Sequence, residues 1–448
     1  RSSAIIQLAE DEQVRWVGAQ QPAWRLDVDL HTAEGKVALD LTLAEDVDTS
    51  QLEEHLYMAG SEYVRCDSYL CQVIGLDSIW LPALSKDHRL LFIEPHDSIG
   101  IANNYARSIS TIDATVNNHN GGLDGTGEVG ALSDSGLDQD HGDFNNRVRG
   151  VYHNYGPDSS GADANSGHGT HVAGTMVGDG SGDSSTQGVA PAATFHFYQL
   201  EHDSSGQLAR WGSLYDMFRD SQQKNAHVQS NSWGAQSSWG QYTSDSRSAD
   251  SFLHDYDDFL VIFAAGNEGS QGSQSIAPPA TAKNVLTVGA STTGRPGTAA
   301  SGQIASFSSI GPTSDGRIKP DIVAPGVQIC SPRALEAQNP AGWSCSSARH
   351  SGTNTPLYMS ADGTSTAAPV VGGAALLARQ FLRTELSISN PDSALIKAVL
   401  INGARDIGTA NVPNMDEGWG QLDLEESLYP HEGVIPKNIF YDTSQTLS

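Results

Sequence analysis

From Val370 to Leu377 the chain reads Val-Val-Gly-Gly-Ala-Ala-Leu-Leu, so a helix there is apolar on every side. Such a helix has no face to offer water and must be enclosed by other elements. At 448 residues the chain has the length to enclose it, and too much length for one ordinary core. The segment that enters the helix, Gly363-Thr364-Ser365-Thr366-Ala367-Ala368-Pro369, sets a hydroxyl among small residues that let another backbone approach. Pro369 suits a first helical turn, and a helix N-terminus supplies unpaired N–H groups and the positive end of a dipole. Taken alone, Ser365 or Thr364 reads equally as the cap of a core helix.

Two upstream segments share this design. Ser166-Gly167-His168-Gly169-Thr170-His171 puts an imidazole between glycines where a loop becomes an apolar helix, and Gly127–Ser133 reads as a short strand delivering Asp134 at its end. An Asp, a His and a Ser at element termini are the parts of an orienter, base and nucleophile relay. Phe259–Ala264 is a continuous apolar run, the pattern of a buried parallel strand, and it leads through Ala265-Gly266 to Asn267. The Asn267 amide there can donate to a developing oxyanion beside the Ser365 N–H. Ala367 occupies the second glycine position of a G-x-S-x-G elbow, which disfavours a lipase or esterase.

The chain resembles the subtilisin-like serine proteases. The resemblance rests on Asp134-Ser135-Gly136, His168-Gly169-Thr170-His171-Val172-Ala173-Gly174, Ser230-Asn231-Ser232-Trp233-Gly234, Ala264-Ala265-Gly266-Asn267-Glu268-Gly269 and Gly363-Thr364-Ser365, in the family's order. It spans roughly residues 103–424 and looks most like the oxidatively stable alkaline branch. It implies an α/β fold with a parallel sheet flanked by helices, and a serine endopeptidase using Asp134, His168 and Ser365 with Asn267 in the oxyanion hole. It also implies that Ser232, Trp233, Gly234, Ala264, Ala265 and Gly266 flank an extended substrate, with Glu268 near the rim of a roomy apolar pocket. His171 is structural in this family; no Glu follows His168 as in a zinc-binding H-E-x-x-H. Thr366 stands where the family commonly has Met, so tolerance to peroxide is expected. No cofactor is needed for the chemistry. Calcium as a structural ion is implied at Asp143 and Asp183, with Asp179 nearby; solvated loop acids are the alternative.

Composition bounds the partners. With 53 acidic residues against 25 Lys and Arg, a net charge of -28 argues against nucleic acid and anionic membranes and suits a secreted, salt-tolerant monomer. Four cysteines permit three connectivities; local pairing of Cys66 with Cys71 and Cys330 with Cys345 is expected, with free buried thiols as the alternative. The chain opens at Arg1 with no visible secretory signal, and reads as a processed or excised fragment.

The first hundred residues differ in character. A strand at 36–43, a capped helix at 49–59, strands near Val64 and Val73, a short helix at 77–84 and a strand at 89–95 make a β-α-β-β-α-β order, which suits a small α+β ferredoxin-like domain. By resemblance, 1–102 is a propeptide that occupies the cleft of its own enzyme until processing near Ala102-Asn103. Residues 1–30 read as the end of a preceding module, 103–430 as the catalytic domain and 431–448 as a tail or the start of a truncated β-rich region. The competing reading is a latent or non-catalytic member in which the first domain stays bound as an inhibitor.

Overall fold

A computed structural model describes residues 21–44, 46–66, 70–95, 102–118, 122–295, 298–340, 342–408 and 411–429. The chain falls into two compact units divided between Ile99 and Gly100. Residues 1–20 of the stretch read as a preceding module, the segment 97–101 and the tail 431–448 lie outside the described residues.

In the first unit, β1 (Lys36–Leu43), α1 (Thr49–Met58), β2 (Tyr63–Cys66), β3 (Leu70–Asp77), α2 (Leu81–Leu84) and β4 (Leu90–Pro95) follow the anticipated order. The antiparallel sheet runs β2-β3-β1-β4. Alternation along β1 turns Leu39, Leu41 and Leu43 into a core closed by Leu52 and Leu56 of α1. Asp48 caps α1 by accepting from the Gln51 N–H. The helix anticipated over 77–84 begins instead as a 3-10 turn, Ser78–Trp80, capped by Asp77, before α2. Cys66 and Cys71 pair across the β2–β3 hairpin.

The second unit opens with α3 (Ala102–Ile109) and α4 (Ile112–Asn118). Its strands β5 (Val129–Asp134), β6 (Val148–Tyr152), β7 (Thr194–Gln199), β10 (Val228–Asn231), β11 (Leu260–Ala264), β12 (Leu286–Ser291) and β13 (Ile322–Pro325) form one sheet. A two-strand hairpin, β8 (Glu201–His202) and β9 (Gln207–Leu208), lies outside it. Every pairing in the large sheet is parallel, in the order β13-β12-β11-β10-β5-β7-β6. From β5 the chain first builds one edge and then returns to build the other from β10. The sheet order therefore reverses beside the C-terminal end of β5, where open α/β sheets form crevices.

Helices α5 (His168–Val177), α6 (Leu214–Gln223), α7 (Ser244–Asp255), α8 (Thr364–Thr384), α9 (Ser393–Asn402) and α10 (Leu424–Leu428) complete the unit with three further strands, β14 (Ile329–Pro332), β15 (Trp343–Ser344) and β16 (Tyr358–Ala361). Along β11, Leu260, Ile262 and Ala264 enter the core that holds α5 and α8, while Phe259, Val261, Phe263 and Ala265 enter a second core with Phe218 of α6 and Phe252 of α7. Both faces of the sheet are thus covered, which is why the strand reads as unbroken apolar sequence. Helix α8 is buried from Thr366 to Leu382, as its composition requires. Cys330 of β14 pairs with Cys345 beyond β15, the second local pairing.

Candidate active site

Strand β5 ends on Asp134, and α5 starts on His168 after Gly167, whose φ of 69° is left-handed. These two termini meet: His168 Nδ1 lies 2.6 Å from Asp134 Oδ1, which also accepts from the Ser135 N–H at 2.8 Å. Asp134 is fully buried, whereas the His168 side chain keeps 23% of its surface open. Burial, the largest influence, works against the imidazolium, but the Asp134 carboxylate, with Asp163 and Glu201 beyond it, outweighs burial and raises His168 above its ordinary 6.5. Nδ1 thus faces the carboxylate, which leaves Nε2 to take a proton from the cleft.

Ser365 is the second residue of α8, and with His168 it lines a cleft of about 880 Å³. The Ser365 carbonyl accepts from Ser232 Oγ at 2.8 Å. Gly363 explains how the hydroxyl is reached: a Cβ built there would lie 2.6 Å from Ser365 Oγ and 3.6 Å from Asn267 Nδ2. Any side chain at 363 would therefore fill the space between nucleophile and amide.

The Asn267 amide is oriented by its neighbours. Its Oδ1 accepts from the Thr364 N–H at 2.9 Å and the Thr364 hydroxyl at 3.1 Å, and Thr364 Oγ1 accepts from the Gly266 N–H at 3.1 Å. Two donors on Oδ1 turn the NH₂ end toward Gly363 and the cleft. No hydrogen bond from the Ser365 N–H occurs among the described residues. Two donors therefore border the space that Gly363 leaves open, the Ser365 nitrogen 3.4 Å and Asn267 Nδ2 3.6 Å from the Cβ position there, and such donors can hold an oxyanion.

Ser232, Trp233, Gly234, Ala264 and Gly266 line the cleft with Glu268, and Trp233 is pinned by Nε1–H donating to the Ser133 carbonyl at 3.0 Å. Ala265 departs from expectation: alternation past β11 turns it into the second core, fully buried, with its N–H on the Val288 carbonyl. The segment 206–210, carried by the β8–β9 hairpin, supplies a wall the motifs did not indicate, and Arg210 there pairs with Asp245 at 2.6 Å. Thr364, seen from sequence only as a cap, is the link between Gly266 and Asn267.

Asp143 and Asp183 each have hydrogen-bond donors of their own. Asp143 is fully buried; its carboxylate accepts from the Tyr358 hydroxyl at 2.6 Å and from Gly180, Ser181 and Gly182. Asp183 instead caps a turn, accepting from the Ser185 N–H and from Ser346 Oγ. Among the described residues no three His, Cys, Asp or Glu side chains cluster as metal ligands. His171 is buried beside His168, with Nε2 on the Ile329 carbonyl at 2.9 Å, and burial pushes it down to about 4.

A family profile described as the subtilase family matches residues 125–420. Serine protease AprX of Bacillus subtilis (strain 168) is 31% identical over 321 residues, covering 68% of this chain and 67% of that protein. The serine protease/ABC transporter B family protein tagD of Dictyostelium discoideum is 28% identical over 488 residues, covering 82% of this chain but only 26% of that protein. The chain thus spans about a quarter of the length of that relative. The CspB protease of Clostridium perfringens superposes with a TM-score of 0.59 at 18% identity, over 72% of this chain and 96% of that one, which shows a common fold. With a profile match across most of the second unit and a relative 31% identical over two thirds of both chains, the chain belongs to the subtilase family.

Proposed function

We propose that the chain is a serine endopeptidase. The observation that carries this reading is the Asp134–His168 pair at 2.6 Å, opening onto the cleft that holds Ser365 and Asn267. His168 Nε2 takes the Ser365 proton as Oγ attacks a peptide carbonyl, and Asp134 holds the tautomer and offsets the imidazolium charge. The Asn267 amide and the Ser365 N–H receive the oxyanion; His168 then protonates the leaving amine, and water releases the acyl group. Gly234, Gly266 and Ala277 line the cleft together, and the two glycines pack so closely on Ala277 that a Cβ on either would fall within about 3 Å of it; these small residues suit an apolar substrate side chain.

The chain is further read as a secreted zymogen whose first hundred residues act as a propeptide. A separately compact α+β unit outside the 125–420 match supports this, and two disulfides suit an oxidising compartment. Among the described residues no helix is long and apolar enough to cross a membrane. The test is a time course of the purified chain on casein and on gels beside Ser365→Ala. Loss of roughly a hundred N-terminal residues followed by casein digestion, both absent in the variant, is the expected result. An intact, inert wild type would favour the latent reading.

A further inference from the structure

Four carboxyl groups that this acyl-transfer chemistry leaves unused surround the start of α5: Asp138, Asp163, Glu201 and Glu336. Asp163 and Glu201 are fully buried. Asp163 Oδ1 accepts from Ser135 Oγ at 2.7 Å, and its Oδ2 accepts from the Thr170 N–H at 2.8 Å. Ser135 Oγ in turn accepts from the Gly169 N–H at 2.7 Å, while the Ser135 N–H donates to Asp134 Oδ1. One carboxyl group therefore ties the end of β5, which carries Asp134, to the first turn of α5, which carries His168.

The other acids are placed around the same turn. Glu201 accepts from the Asn165 and Ser166 N–H groups and from Ser166 Oγ, whose oxygen accepts from the His168 N–H. Glu336 accepts from the Asp163 N–H at 3.3 Å, and Asp138 from the Leu335 N–H, its own N–H donating to Thr170 Oγ1. Among the described residues no Lys or Arg forms an ion pair with Asp163, Glu201 or Glu336. A structural cap needs one acceptor, and a surface would serve it. Here a second, deeply buried carboxyl is kept without a cation, next to the one group whose working cycle makes it positive.

We propose that Asp163 is a positioning residue for the base: it holds Asp134 and His168 in register through Ser135 and Thr170, and its charge favours the imidazolium formed as Ser365 attacks. This rests on the protease reading. The electrostatics agree: burial raises Asp163 to about 7, with Glu201 adding to the rise, and both Asp163 and Glu201 act to raise His168. A proton taken up by Asp163 then disfavours one on His168, so the acid limb of the wild-type pH profile is shallower than a one-proton curve.

The test measures kcat and KM for a peptide substrate between about pH 5 and 10 for the wild-type chain, Asp163→Asn and Ser135→Ala, with folding checked by circular dichroism. In Asp163→Asn the acid limb moves down by about half a unit or more and kcat falls about tenfold or more, while KM stays within about threefold. A folded Asp163→Asn whose limb and kcat match the wild type overturns the proposal. If that variant does not fold, Ser135→Ala decides: it cuts the tie but keeps the carboxyl, so kcat falls, and an unchanged kcat overturns the clamp. If the wild type cleaves nothing and resists a serine-directed phosphonate, the protease reading has failed instead. Histidine NMR then reads the proposal alone, since His168 must titrate lower in Asp163→Asn; an unchanged titration overturns it.

Discussion

Helices α5 and α8 both offer a first turn to the active-site region, both follow a glycine, and neither has a side-chain cap on that glycine. Their surroundings are opposite. At α5 the N–H groups of His168, Gly169 and Thr170 go to Ser166 Oγ, Ser135 Oγ and Asp163, with Glu201 buried alongside. At α8 the Thr364 N–H goes to a neutral amide, and among the described residues no carboxylate accepts from the turn. A helix N-terminus carries roughly half a positive charge. Acids cancel it where an imidazolium must form, and it is left bare where an oxyanion must form. The same local motif, glycine then helix, thus serves two opposite charges according to what is packed around it.

The contrast can be broken most severely at the nucleophile. Ser365→Ala should lower kcat/KM on peptide substrates by roughly five orders of magnitude or more with the fold intact, because base and orienter have no hydroxyl to act on. Residual cleavage near wild-type rate would mean another nucleophile. Asn267→Ala should cost about a hundred- to a thousandfold in kcat with little change in KM, since the lost donor works only as charge develops. Thr364→Val is expected to cost about tenfold in kcat, through a freed Asn267 amide rather than lost binding.

Within α5 the comparison sharpens between two histidines. His168 sits above 6.5, so activity should rise along an acid limb centred above that value, as a pH profile of kcat/KM would report. His171, in the same helix, is held neutral near 4. The fold therefore favours its uncharged form: the stability is full above about 6.5 and is lost as pH falls toward 4. His171→Gln should remove about 3 kcal/mol of that acid sensitivity, measured by urea unfolding at both ends of the window. Asp163, raised to about 7, acts in the opposite sense, favouring the folded state as pH falls below its value.

Much of the site was legible because its parts lie at element ends, where sequence periodicity stops and glycines mark the stop. Asp134, His168, Ser365 and Asn267 are all of this kind. Ala265 was misplaced because motif spacing does not record which face a residue takes, and alternation past β11 turned it inward. The 206–210 wall and Arg210–Asp245 had no local signal, since a hairpin's approach to a cleft depends on what it folds against. The partner of Asp143 was hidden for a similar reason: an acid at a suggestive spacing found Tyr358, distant in sequence, as its donor.

The sequence by itself determined a buried helix, a parallel sheet with both faces covered, and three reactive groups at element termini, because periodicity and glycine placement are local properties of the chain. Only the tertiary structure decided that Asp163 joins the segments of Asp134 and His168, that Thr364 orients Asn267, and that Asp143 is spent on a tyrosine. Those outcomes depend on groups far apart in sequence being brought within about 3 Å and shut away from water, where each polar group must find a partner in the protein itself.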